Sequence, residues 1–313
     1  MAEKEFLTTK EAADKLGVEQ GTILRWIKEG KLPTAQIGKR HRIPIGAIEN
    51  RVAKTDSGKT RIIAVANQKG GVAKTTTTLN VAAGLGLKGK KVLVIDLDPQ
   101  GGCAGSLGIS GSALDKTVYT VLVRDDVGFE DIIIKTKHHF DLAPSNIDLA
   151  GAEVELKQML AAEQVLKRNL NNIKDSYDFI LFDCPPSLGM LTVNALTAAK
   201  ELLIPMSMEY LALRGLDMLA KTVSKIKAIT NPDLTYLGIL ATMYDRRTLN
   251  SREIYDALRQ SSSNAGIKMF PGYITSSVRL RESPNLQTPL ILAYPEHEGS
   301  KAYAKVVEEI LNE

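Results

Sequence analysis

Two lysines five residues apart, Lys69 and Lys74, stand in the run Asn67-Gln68-Lys69-Gly70-Gly71-Val72-Ala73-Lys74-Thr75-Thr76-Thr77, and those residue types at that spacing suit the holding of a polyphosphate. Glycine at 70 and 71 lets backbone N–H groups approach an anion with no side chain in the way, and a helix beginning inside the run adds the partial positive charge of its N-terminus. Gly70, Gly71, Val72, Ala73, Lys74, Thr75 and Thr76 form the expected cradle. Lys74 would bridge the β- and γ-phosphates, the Thr75 hydroxyl would ligate Mg²⁺, and Thr76 would bond the α-phosphate. The ligand these groups imply is a nucleoside triphosphate with Mg²⁺, ATP first among them. The pattern G-x-x-x-x-G-K-[ST] is not met in full, because Gln68 and Ala73 occupy its glycine positions. A methyl at 73 asks for a backbone that an L-residue tolerates, so a negative φ is expected there.

Carboxylates are the second requirement of such a site. Lys91-Val92-Leu93-Val94-Ile95-Asp96-Leu97-Asp98-Pro99-Gln100-Gly101 and Tyr177-Asp178-Phe179-Ile180-Leu181-Phe182-Asp183-Cys184-Pro185-Pro186-Ser187 each end an apolar run on an aspartate. An aspartate at a strand end is by itself equally well a helix cap or a turn former. Asp98 and Asp183 gain a chemical reading from the phosphate loop that accompanies them. Asp96 is a candidate partner for Lys74 or for positioning the turn that follows it. Cys184 reads as a small packing residue.

The elements that must position these groups are legible from residue 61 onward. Short aliphatic runs at 62–66, 91–95, 179–182, 201–205 and 237–241 alternate with helical patterns around 75–87 and 191–200, as an α/β protein with a mainly parallel sheet requires. The polar stretch 54–60, KTDSGKT, reads as a linker.

Ahead of the linker lies a different unit. Thr8-Thr9-Lys10-Glu11 has capping-box spacing for a helix whose apolar face is Ala12, Ala13 and Leu16, ended by Gly17. A second helix is expected over 22–29, with Ile23, Trp26 and Ile27 on one side and Thr22, Arg25 and Lys28 on the other. Ala35-Gln36-Ile37 and Arg42-Ile43-Pro44 flank the turn Gly38-Lys39-Arg40-His41, a basic wing, and a third helix is expected over 45–53. Residues 6–53 resemble the excisionase and MerR-like winged helix-turn-helix modules, through Leu7-Thr8-Thr9-Lys10-Glu11-Ala12-Ala13, Thr22-Ile23-Leu24-Arg25-Trp26-Ile27, Gly30-Lys31-Leu32-Pro33 and the wing. The resemblance implies that Gln20, Thr22, Arg25 and Lys28 face DNA bases or phosphates and that Lys39, Arg40 and Arg42 reach the backbone or minor groove.

Residues 61–313 resemble the ParA/Soj and MinD group of P-loop ATPases. The loop matches their deviant form K-G-G-x-G-K-[ST] apart from Ala73, and the segments 91–101, 177–187, 206–216, 242–248 and 278–284 carry the likeness on to the C-terminal part. A loop already holding Lys74 has little need of Lys69 for its own nucleotide. In the family, the matching lysine crosses an ATP-sandwich homodimer to the partner's phosphates, much as an arginine finger does. The resemblance also implies that Asp98 positions the attacking water, that Asp183 holds Mg²⁺ through its water shell, and that Met243 and Pro284 border the nucleotide. The fold class it implies is α/β, a P-loop NTPase with a mainly parallel doubly wound sheet, preceded by a small winged helix-turn-helix domain. The expected domains are 1–53, a linker 54–60, and 61–313.

Charge and composition narrow the functions. Residues 1–60 hold 12 Lys and Arg against 8 Asp and Glu, while the remainder is balanced at 28 of each, so the whole formal excess of +4 sits in the first fifth. Between Arg25 and Arg42 six basic residues face one acid, Glu29, the asymmetry of either a polyanion-binding or a solvated face. Two cysteines supply neither a disulfide framework nor a four-ligand zinc set. No apolar run suits a membrane span or a secretory signal, and the C-terminal run AKVVEEILNE is acidic where a membrane-surface helix would be basic. A cytoplasmic, nucleoid-associated protein is expected.

The reading these features favour is a weakly hydrolysing ATPase that partitions DNA, with ATP and Mg²⁺ as cofactors and a ParB-type centromere-binding protein and DNA as partners. Lys221, Lys225, Lys227, Arg252 and Arg259 are candidates for a nonspecific DNA surface, although solvated helix faces look the same. An ATP-regulated transcriptional regulator that moves no cargo is the alternative, and an ATP-dependent metabolic ligase a third class.

Overall fold

Thr8 opens the first helix in the way its spacing from Glu11 predicts. Its N–H and Oγ1 both donate to Glu11 Oε2, at 2.8 and 2.9 Å, and Glu11 N–H donates back to Thr8 Oγ1 at 3.2 Å. The helix α1 (Thr9–Leu16) buries Ala12 and Ala13, and α2 (Gln20–Lys28) buries Ile23. Strands β2 (Ala35–Ile37) and β3 (Arg40–Pro44) pair antiparallel, Ala35 with Arg42 and Ile37 with Arg40. Arg40 and His41, expected in the wing turn, are strand residues opposite Ile37 and Gln36. A further strand, β1 (Phe6–Leu7), pairs with β3. Two residues carry no alternation, so the sequence did not disclose it.

The computed structural model of the chain describes residues 6–16, 20–28, 34–37, 40–44, 60–209, 212–276 and 286–313. The expected helix at 45–53, Gly17, Lys39 and Pro284 lie outside them, as do the side chains of Thr22, Arg25, Arg40 and Arg42. Chain contacts divide the molecule into two units, Met1–Lys59 and Thr60–Glu313.

The larger unit is built on eight strands: β4 (Arg61–Val65), β5 (Val92–Asp96), β6 (Ile134–Lys135), β7 (Asp141–Ala143), β8 (Phe179–Asp183), β9 (Glu201–Ser207), β10 (Thr235–Tyr244) and β11 (Met269–Thr275). Their order is β11-β10-β9-β4-β8-β5-β7-β6, and every pairing is parallel except that of β6 with β7. Central strands such as Phe-Ile-Leu-Phe-Asp of β8 are buried along their whole length, as a parallel sheet covered on both faces demands. One face packs on α3 (Lys74–Leu87), the short α4 (Gly102–Gly105), α11 (Leu290–Ala293) and α12 (Glu298–Asn312). The other packs on α5 (Val118–Val123), α6 (Leu149–Glu155), α7 (Val165–Asn169), α8 (Met190–Ala198), α9 (Ala212–Ile229) and α10 (Leu249–Asn264).

The sheet is thus doubly wound, and all five strands read from the sequence are present. The three that were not read have local reasons. β6 and β7 are two and three residues long, and β11 carries Pro271 and Gly272, which a strand tolerates only at a sheet edge. Register decides where the acids lie: Asp96 of β5 and Asp183 of β8 are direct partners at the strands' C-terminal ends. Among the described residues no helix is long and apolar enough to cross a membrane.

Candidate nucleotide site

The loop after β4 is strapped at both ends. Asn67 Nδ2 donates to Pro205 O at 2.8 Å while its Oδ1 accepts from Lys69 N–H at 3.0 Å, and Thr242 Oγ1 of β10 donates to Val72 O at 3.0 Å. Between these ties Gly71 and Ala73 both adopt left-handed backbone, with φ of 71° and 64°. The negative φ expected at Ala73 is thus overturned. Ala73 is the residue from which the chain turns directly into α3, at φ 64° and ψ 35°, and the turn that aims successive N–H groups into one concavity needs that conformation. Glycine is the usual occupant, and a methyl there costs about 1–2 kcal/mol.

Lys74 is 7 % exposed, and its Nζ donates across the loop to Lys69 O at 3.0 Å. Burial pulls its pKa down, and the charge of Asp183 works against that shift. Thr75 Oγ1 donates to Asp183 Oδ2 at 2.6 Å, Thr78 Oγ1 to Asp183 Oδ1 at 3.2 Å, and Cys103 Sγ to Asp183 Oδ2 at 3.4 Å. The first turns of α3 and α4 thereby converge on one carboxylate. Asp183 and Asp96 are both fully buried, and desolvation holds both carboxyls above the usual range, with the charge of Asp183 adding to the shift of Asp96 and that of Asp98 adding to the shift of Asp183.

Asp96 does not bond Lys74, as had been one expectation. Its two oxygens are taken by the N–H groups of Asp98 and Cys103, each at 3.0 Å. It therefore shapes the turn that carries Asp98, its other expected role. Asp98 is half-buried; its Oδ1 accepts from Gln100 N–H at 3.0 Å, and its carbonyl accepts from Ser145 Oγ at 2.6 Å. Gly101, left-handed at φ 63°, closes that turn where an added Cβ would lie 3.1 Å from Ser145 O.

These residues fit a Mg²⁺–triphosphate. A threonine hydroxyl beside an aspartate is a hard oxygen donor set of the kind Mg²⁺ takes with substrate phosphates. Asp96, Cys103 and Asp183 also lie within 4.8 Å of one another. Burial pushes the Cys103 thiol well up, so it stays protonated and serves Asp183 as a donor, not as a thiolate ligand.

Lys69 is folded onto its own chain. Its Nζ pairs with Glu209 and lies 3.5 Å from Ser207 Oγ. Sequence reasoning placed Glu209 in a segment of family likeness without giving it this role, and it missed Asn67, Thr78 and Cys103. Met243 follows the tie at Thr242 and has left-handed backbone, φ 53°.

Other candidates are dispersed. Lys221, Lys225 and Lys227 are exposed on α9, and Arg252 and Arg259 are exposed on α10, which packs against α9. Lys221 and Lys225 share a row, as do Arg252 and Arg259, while Lys227 leaves it. In the N-terminal unit Gln20 and Lys28 are exposed, and Gln20 Nε2 donates to Thr9 Oγ1 at 2.8 Å.

Residues 60–236 match the family model described as an AAA domain, and residues 6–55 match that of a helix-turn-helix domain. The sporulation initiation inhibitor protein Soj of Bacillus subtilis is 42% identical over 80% of this chain and 98% of its own length. The chromosome partitioning protein ParA of Caulobacter vibrioides is 38% identical over 80% of this chain and 94% of its own. A crystal structure from Mycobacterium smegmatis with bound ATP analog and magnesium, described as cobyrinic acid a,c-diamide synthase, superposes with a TM-score of 0.71 at 39% identity, covering 81% of this chain and 95% of that one. With the lysine pair of its phosphate loop, its Thr75–Asp183 contact and its match to nearly the whole of Soj, the chain belongs to the ParA/Soj family of P-loop ATPases.

Proposed function

We propose that this ATPase partitions DNA, a plasmid or a chromosome, and that ATP with Mg²⁺ acts as a timer of its assembly. The observation that carries the reading is the pair of lysines with separate environments: Lys74 is buried in the loop, while Lys69 is more exposed and ion-paired with the exposed Glu209. In the proposed mechanism Lys74 neutralises charge that grows on the β-phosphate as the bond to the γ-phosphorus breaks. Thr75 and Asp183 would hold the metal, Asp183 through its water shell. Asp98 orients the attacking water and takes its proton, and Lys69 of one copy reaches the triphosphate of a second. Hydrolysis then removes the contacts that hold the homodimer together.

An ATP-bound dimer doubles each weak phosphate contact of Lys221, Lys225, Lys227, Arg252 and Arg259, so DNA affinity follows assembly steeply. A ParB-type centromere-binding protein would stimulate hydrolysis and release the dimer from the nucleoid. The N-terminal module, with Gln20, Thr22, Arg25, Lys28, Lys39, Arg40 and Arg42, would add binding to an operator or another specific site, with the domain boundary at 54–60.

The test is duplex DNA retention by the full chain with Mg²⁺ and either ATP or ADP. Retention of random-sequence duplex with ATP and its loss with ADP is the expected result, and equal retention would contradict the proposal. The diamide synthase description of the 39%-identical structure raises the ligase class again. The helix-turn-helix match at residues 6–55 favours DNA. ATP turnover that rises with cobyrinic acid but ignores DNA would favour the ligase.

A further inference from the structure

A second basic feature lies at the other end of the sheet, away from the phosphate loop. The N-terminal ends of β5, β7 and β8 border a cavity of about 440 Å³ lined by Lys90, Lys91, Lys135, His139, Ser176 and Tyr177 among others. Three separate chain segments build it: the turn from α3 into β5, the β6–β7 hairpin, and the turn before β8.

The hairpin is fixed in place. Thr136 Oγ1 donates to Phe140 O at 2.5 Å and accepts from His138 N–H at 3.1 Å. His139 has left-handed backbone at φ 66°, and its carbonyl sits where a Cβ on Gly86 would come within 2.0 Å. Gly86 is thus required for the hairpin to lie against α3.

The charges in this groove are unequally matched. Asp141 lines it, but its charge is offset by Lys135 Nζ at 2.5 Å, and it also accepts a hydrogen bond from the Tyr177 hydroxyl at 2.8 Å. Asp178, beside it, accepts the backbone N–H of Lys91 at 2.7 Å, and Asp175 is exposed near Ser176. Lys90, Lys91 and, at the tip of the hairpin, Lys137 are exposed and ion-paired with no acid among the described residues.

We infer that this groove and the hairpin tip beside it form a second DNA contact surface, in which Lys90 and Lys91 of the groove and Lys137 of the tip take the phosphate backbone of a duplex independently of the nucleotide end. Charge complementarity favours a polyanion, and exposed lysines without bidentate partners suit repeated phosphates read without sequence. Thr60, the first residue of the larger unit, is anchored on the groove's own wall, its Oγ1 donating to Lys174 O and Tyr177 O at 2.8 and 2.9 Å. The groove's charge carries the inference without the DNA-binding reading of the N-terminal unit.

The experiment uses the full chain and a random-sequence 30-bp duplex, with affinity measured across a salt series, with and without ATP. The variant Lys90→Gln/Lys91→Gln/Lys137→Gln should melt as the wild type does, bind about tenfold or more weakly, and lose about two to three from the slope of log K against log salt, ~0.9 for each phosphate contact removed. The corresponding triple Lys→Arg variant should restore both. Affinity within twofold of wild type at an unchanged slope would overturn the inference. So would equal competition by polyglutamate, which would make the groove a site for acidic polypeptide. Arg25→Ala/Lys28→Ala, measured in parallel, separates the two readings. If it is silent while the groove variant is weakened, the helix-turn-helix reading fails and the groove stands; the reverse removes the groove alone.

Discussion

Thr75 Oγ1 sits 2.6 Å from Asp183 Oδ2, joining the first turn of α3 to the end of β8 across 108 residues of sequence. The bond holds in register the two side chains proposed as oxygen donors to Mg²⁺. Thr75→Ala should therefore lower ATP turnover at least about 100-fold and weaken Mg²⁺-dependent nucleotide binding. It should cost only about 1 kcal/mol of stability, because Thr78 and Cys103 still donate to Asp183. Thr75→Ser should keep most activity. Steady-state phosphate release and denaturant melts measure both effects, and an active Thr75→Ala enzyme would remove this residue from the metal site.

Ala73 offers a test of the loop itself. At φ 64° it pays the left-handed penalty of about 1–2 kcal/mol, which glycine avoids, while glycine adds about 0.4–1 kcal/mol of unfolded-state entropy. Ala73→Gly should therefore raise stability by about 0.5 kcal/mol in urea melts. A loss of 1 kcal/mol or more would show that the residue does not hold this conformation in solution.

The acid pair sets a pH dependence. Burial raises the carboxyls of Asp96 and Asp183, so between about pH 4, where such groups ordinarily titrate, and their higher native values the folded chain binds more protons than the unfolded one. Stability of the nucleotide-free protein should then fall as pH rises through that window. Asp96→Asn should flatten the slope. Mg²⁺–ATP, which calls for ionised Asp183, should bind with net proton release, measurable by calorimetry in buffers of different ionisation enthalpy. Proton uptake would contradict this assignment.

Glu209 holds Lys69 at home in the single chain. Both side chains are substantially exposed, 32% and 63%, so the pair is worth at most about 1 kcal/mol. Glu209→Gln should leave the melting temperature nearly unchanged and tighten ATP-dependent dimerisation by up to about fivefold in sedimentation velocity. A tenfold weakening would mean instead that Glu209 helps to hold the dimer.

What the sequence disclosed follows from where the chemistry is contiguous. The loop, the two aspartates and five buried strands were legible because phosphate binding and a parallel sheet each dictate residue types along an unbroken run. Asp96 was read only loosely, since its partners are backbone N–H groups of a turn whose shape no residue type announces. The φ of Ala73 was misread because side-chain preference was weighed without the demands of the N–H concavity. Glu209 stayed hidden because its partner lies 140 residues away, and β11 because Pro271 and Gly272 argue against a strand everywhere except at an edge.

The central claim is that ATP assembles two copies through Lys69 and that Asp98 ends the assembly. Light scattering of the Asp98→Ala protein with Mg²⁺–ATP measures it most directly. A mass of twice the 34.1 kDa chain, falling back to one chain when Lys69→Ala is added, is the expected result. A monomer with saturating ATP, or a dimer indifferent to Lys69, would contradict it.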